Sequence, residues 1–157
     1  MFDAVEHKHL TASEQESIIK LARDVVRENY KPGQLVSSST DIKDLMIFRL
    51  ADLNNEIFGA VFLNNRHTII DIEDLFQGSI AGASIHPRVV VQRAMECNAA
   101  AVIFYHNHPS GDPRPSEADQ EITKRLKDAL ELMDVRVLDH LVVGGADVVS
   151  FADQGLL

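Results

Sequence analysis

The run Ala99–Tyr105 is apolar from end to end, then breaks into His106-Asn107-His108 and a loop holding Pro109, Pro113 and Pro115. A short apolar run bounded by proline-rich turn signals reads as a buried strand. Beyond the loop, a helical pattern starts at Ser116, with Asp119 in its first turn. Side chains alternate along an extended backbone, so His106 and His108 project from one face. Two imidazoles at a strand end, with a carboxylate from the adjoining helix end, make a three-ligand set suited to zinc. Catalytic zinc sites use three protein ligands and keep a fourth position for water.

Each residue also has a purely structural reading. A His-x-His pair at a strand end is commonly a polar surface feature, and Ser116 is a favoured helix N-cap. An acid in the first turn suits the helix dipole. Conjunction favours the metal reading, because a cap does not explain the histidines and a strand does not explain the serine.

The spacing His-x-His, seven residues, Ser, two residues, Asp resembles the JAB/MPN (JAMM) metalloprotein signature. The longer string His106-Asn107-His108-Pro109-Ser110-Gly111-Asp112-Pro113, with Pro115, Ser116 and Asp119, is similar to the RadC branch of that family. Gly78, His86-Pro87-Arg88, Leu138-Asp139-His140 and Ser150-Phe151 extend the likeness, which covers roughly Leu35 to the C-terminus. It implies an α+β fold of the α/β type: a mixed sheet flanked by helices, layered as in cytidine deaminases. It also implies a zinc-dependent hydrolase of the peptidase or isopeptidase type, acting on a peptide or protein, with His106, His108 and Asp119 as ligands.

Such a site needs a proton carrier, which in this family is a glutamate on an early strand. Glu56, opening the apolar run to Leu63, is the best match and would act as general base and acid. Glu73, Glu96 and Glu117 compete less well, lying in a second strand or in helical patterns. Ser116 would supply the hydrogen bond to the oxyanion, and Asn107 and Ser110 would shape the surroundings. His140 reads as a satisfied structural histidine, His86 as a helix-entry residue and Asp112 as a turn former. His7, His9 and His67 have no partner pattern.

The alternative class is a non-catalytic accessory protein of DNA repair or recombination. Full-length RadC-like proteins carry an N-terminal helix-hairpin-helix region, which this chain is too short to hold, so direct nucleic-acid binding is not expected. Charge agrees: Lys plus Arg number 15 against 24 Asp plus Glu, a formal net charge of −9, whereas DNA binding draws on phosphate neutralisation. A basic patch around Arg88, Arg93, Lys124, Arg125 and Lys127 reads more simply as mixed surface. The adjacent letters His-Asn-His are too compact for an HNH nuclease, and the lone Cys97 cannot supply the Pro-Cys-x-x-Cys pair of zinc deaminases.

At 157 residues the chain suffices for one domain with its own core. Residues 1–34 read as a helical extension and 35–157 as the RadC-like domain. No apolar segment is long enough to span a membrane, Met1 to Leu10 are charged rather than signal-like, and one cysteine suits a reducing, cytoplasmic compartment.

Periodicity and turn signals predict the elements. A helix capped by Thr11, or by Ser13 with Glu16 as a capping box, carries an apolar stripe of Ile18, Ile19, Leu21, Ala22, Val25 and Val26 to about Tyr30. A second, capped by Ser39 or Thr40, turns Ile42, Leu45, Met46 and Leu50 to the core. Strands at Glu56–Leu63 and Thr68–Phe76 flank a hairpin turn at Asn64-Asn65-Arg66. Pro87 opens a helix to about Cys97, and Ser116 to about Met133 is helical. Strands at Val135–Val143 and Asp147–Phe151 close the chain across Gly144-Gly145-Ala146.

Overall fold

The computed structural model describes residues 10–78 and 85–157; the charged N-terminus with His7 and His9 lies outside them. The elements in chain order are α1 (Ala12–Asn29), α2 (Ser39–Leu50), β1 (Ile57–Leu63), β2 (Ile69–Gln77), α3 (Pro87–Glu96), β3 (Ala101–Asn107), α4 (Glu117–Glu131), β4 (Arg136–Gly144) and β5 (Asp147–Ser150). The strands form a five-stranded sheet in the order β2-β1-β3-β4-β5. Antiparallel pairs β1–β2 and β4–β5 flank the parallel pair β3–β4, whose crossover is α4. The fold is thus the expected mixed sheet flanked by helices.

Strand β3 is central and buried along its whole length, so its two faces feed two cores. Val102 and Phe104 pack with Phe58, Ala60 and Phe62 of β1 under α3 and α4. Ala101, Ile103 and Tyr105 pack with Ile42, Leu45, Met46 and Leu50 of α2 on the other face. Period-two alternation places His106 on the face of Val102 and Phe104, and Asn107 on the opposite one.

Several boundaries differ from expectation. Strand β3 runs two residues beyond Tyr105, because His106 pairs with Phe58 and Asn107 with Val143. Helix α1 starts from Thr11, whose hydroxyl accepts from Glu14 N while Glu14 reaches back to Thr11 N; the Ser13–Glu16 box does not form. Helix α2 is capped by Ser38, not by Ser39 or Thr40, through a 3.1 Å bond from Asp41 N. The α1 stripe is largely uncovered: Ile18, Ile19, Leu21 and Val25 are exposed, while Val26 packs against the α2-side core. Glu56 immediately precedes β1 rather than opening it.

Two features hold the chain segments that frame the end of β3. The Asn107 amide is buried and staples the approach to β1: its Oδ1 accepts from Ile57 N at 2.8 Å and its Nδ2 donates to Asn55 O at 3.0 Å. The loop after His108 rests on Gly144, where a Cβ would stand 2.5 Å from Pro113 N and 2.7 Å from Gly111 O. Main-chain atoms cannot swing aside as a flexible side chain can.

Gly144→Ala therefore overpacks a backbone contact and should cost about 1–3 kcal/mol in urea unfolding. An unchanged midpoint would show that the loop is not seated as described. Asn107→Ala leaves the Ile57 N–H without its acceptor inside the protein, for a loss of about 1–3 kcal/mol by the same measurement. Parent-like stability would mean that water replaces the amide.

Candidate metal centre

The site stands at the end of β3 where α4 begins. Burial of Ile122, Thr123, Leu126 and Leu130 orients α4, and Asp119 continues that inward face one turn earlier. Ser116 is the N-cap: its hydroxyl accepts from Asp119 N at 3.1 Å and donates to Asp119 Oδ2 at 2.7 Å, and Ser116 N donates to the same oxygen at 2.7 Å. This capping box fixes where helix and carboxylate point.

His106, His108 and Asp119 come together, with one ligand atom from each lying within 4.8 Å of the others. Nε2 of His106 and Nε2 of His108 are 3.0 Å apart. Each lies 3.4 Å from an Asp119 oxygen, His106 from Oδ1 and His108 from Oδ2. His106 and Asp119 are buried, and His108 is partly open. The His108 Nδ1 lies 2.7 Å from the main-chain oxygen of Asp112, which can only accept. In the neutral ring that nitrogen carries the hydrogen, and Nε2 offers a lone pair to the cluster. On His106 the outer nitrogen, Nδ1, meets Nε2 of His140 at 2.8 Å. The donor set fits a metal ion: two imidazole nitrogens and a carboxylate oxygen, each ring held from behind by a hydrogen-bond partner.

Charge in the cluster follows this geometry. The Asp119 carboxylate beside His108 raises that ring's basicity against the effect of burial, and the Asp112 carbonyl and Glu56 add to it. Burial pushes the Asp119 carboxyl up, but the two adjacent histidines and the Ser116 hydroxyl outweigh it and hold the acid well below the ordinary carboxylate range. Burial pushes His140 well below its usual value, assisted by His106, so that ring is neutral.

Glu56 lies two residues before Phe58 at the entry to β1, and its charge acts on His108. Phe58 pairs with His106 across the antiparallel β1–β3 ladder, and their rings stack at 6.4 Å. The paired ladder ends there, and Ile57 N is taken by the Asn107 side chain instead. Glu56 and Pro109 share a shallow depression with Asn54, Asn55, Gln77 and Gly78, and Gly78 N donates to Glu56 O at 2.8 Å.

Other residues fall outside the cluster. His86 occupies the N-cap position of α3 without a side-chain cap bond. Asp112 accepts from Arg114 N at 3.0 Å, as a turn former does, and Ser110 Oγ lies 3.4 Å from Asp112 N. Cys97 caps α3 and packs against the core. Arg93 is engaged by Glu73 at 2.7 Å and Glu96 at 2.6 Å, in keeping with a surface of mixed charge. Among the described residues, no helix is long and apolar enough to cross a membrane.

His140 adjoins the cluster through His106, a link with no local signature in the sequence. It is fully buried and ringed by Phe58, Phe104 and Phe151, with Phe151 stacked at 4.7 Å. Its Nδ1 lies 2.6 Å from Thr123 Oγ1. The Asp139-His140 pair inside an apolar strand was the available signal, because a histidine buried at that position needs polar partners.

A UPF0758 protein of Vibrio cholerae is 44% identical over 153 residues, 96% of each chain. A UPF0758 protein of Marinobacter nauticus is 46% identical over 142 residues, and one of Xanthomonas euvesicatoria 50% over 139. The present chain spans 63% and 62% of the length of those last two relatives. The family described as the RadC-like JAB domain matches residues 36–156, and the chain belongs to it.

Proposed function

We propose that the chain is a zinc-dependent hydrolase of the peptidase or isopeptidase type, acting on a peptide or protein substrate. The observation that carries this reading is the convergence of two imidazole nitrogens on one buried carboxylate. Zinc bonds of about 2.0–2.1 Å in a tetrahedron set neighbouring ligand atoms about 3.3 Å apart. The 3.0 Å between the two imidazole nitrogens is close to that edge, and each nitrogen lies 3.4 Å from a different oxygen of the one carboxylate. His106, His108 and Asp119 would hold the ion, with His108 the partly exposed member of the set.

Bound zinc supplies Lewis acidity and makes water a usable nucleophile near neutral pH. The chain's own groups do the rest. The Glu56 carboxylate accepts the proton of the attacking water and delivers it to the leaving amine. Ser116 turns its hydroxyl hydrogen from Asp119 Oδ2 to the oxyanion of the tetrahedral intermediate, while its oxygen still caps α4. A single cysteine and a net charge of −9 suit a cytoplasmic protein whose substrate is not nucleic acid.

Metal analysis of the purified protein should find about one zinc per chain, lost in His106→Ala/His108→Ala and in Asp119→Ala. Stoichiometry unchanged in the double-histidine variant overturns the site. Glu56→Gln should keep zinc and fold, yet lose hydrolysis of a responsive member of a peptide and isopeptide library by orders of magnitude. Ser116→Ala should slow turnover by about 10²-fold or more with zinc retained. Full complementation of a cellular repair or growth phenotype by Glu56→Gln would favour the accessory role over the hydrolase.

A further inference from the structure

A chain of four groups runs behind His106, and its polarity is fixed at one end. The main-chain oxygen of Asp119 can only accept, so the Thr123 hydroxyl, 2.5 Å away, donates to it. With its hydrogen spent there, Thr123 Oγ1 accepts at 2.6 Å from His140 Nδ1, which must carry a hydrogen. His140 is fully buried among the rings of Phe58, Phe104 and Phe151, surroundings that disfavour a charged imidazole, so its Nε2 is the acceptor. The remaining contact, 2.8 Å between His140 Nε2 and His106 Nδ1, then requires the hydrogen on His106. A neutral His106 protonated at Nδ1 has its lone pair on Nε2, the nitrogen that faces His108 and Asp119.

We infer that Thr123 and His140 are positioning residues that select the ligating tautomer of His106 through a one-directional hydrogen-bond chain from the Asp119 main chain. The chain is closed in space. It begins at the residue whose side chain is one ligand and ends on the ring of another, tying α4, β4 and β3 together behind the site. A helix shift that moved Asp119 would also move the hydroxyl that sets His106. Packing against Phe151 at 4.7 Å keeps the His140 ring in the plane the chain needs. The buried Asp139 carboxylate anchors the same stretch of β4, accepting from Ser150 Oγ at 2.6 Å, His140 N at 2.7 Å and Ala152 N at 3.0 Å.

The inference rests on the metal reading above for its purpose, but its physical content is tested on metal-free protein. Thr123→Val keeps the shape of the side chain and removes the hydroxyl; Thr123→Ser keeps the hydroxyl. Nitrogen-15 NMR of the imidazoles at a pH where they are neutral should show His106 protonated at Nδ1 in the parent and in Thr123→Ser. Thr123→Val should show a mixture with the Nε2-protonated form. Zinc titration against a chromophoric chelator should give affinity lowered about 10–100-fold in Thr123→Val and near the parent in Thr123→Ser, with thermal melts verifying that all three fold. Retention by Thr123→Val of either the parent tautomer or the parent zinc affinity overturns the inference. A parent protein with the Nδ1 tautomer that binds no zinc supports the chain and overturns the metal reading instead.

Discussion

Two imidazole nitrogens lie 3.0 Å apart, each 3.4 Å from one oxygen of the same carboxylate, with His106 and Asp119 buried. His108 turns a lone pair inward because its other nitrogen faces a carbonyl, and Asp119 carries negative charge. Bringing such groups together away from solvent is costly unless a cation lies among them. The arrangement is therefore poor as packing and good as a ligand set. Much of the local architecture serves to hold this unfavourable convergence in place.

The sheet supplies the rigidity. Strand β3 is buried on both faces, so its end cannot fray into solvent as an edge strand's would. His106 is fixed by pairing with Phe58 on one side and Val142 on the other. The loop beyond it is seated on Gly144, and this contact places the Asp112 carbonyl behind His108. On the opposite face of β3, Asn107 ties down the segment that carries Glu56. The same antiparallel register that buries Phe58 sets it beside His106, two residues after the acid, and the core and the site share one set of constraints.

Local patterns in the sequence went far in this chain. The His-x-His spacing, the prolines and the Ser116 cap act within a few residues of one another, and period-two alternation relates the two histidines without tertiary information. The link between His140 and Thr123 was not legible in that way. It depends on the parallel register that sets Phe104 beside His140 and on the rotation of α4, neither of which has a local signature. Ser37, Ser38, Ser39 and Thr40 are all chemically competent caps, so the choice of Ser38 is decided by tertiary placement of α2. The α1 stripe shows the same limit: periodicity reveals that a helix has an apolar face, not what covers it.

X-ray absorption at the zinc edge of the loaded protein addresses the central claim most directly, since it reads the ligands without needing a substrate. The geometry predicts a first shell of nitrogen and oxygen at about 2.0–2.2 Å, with outer-shell scattering from two imidazole rings. A sulfur shell at about 2.3 Å, or a shell lacking imidazole scattering, would place zinc elsewhere and contradict the assignment of His106, His108 and Asp119.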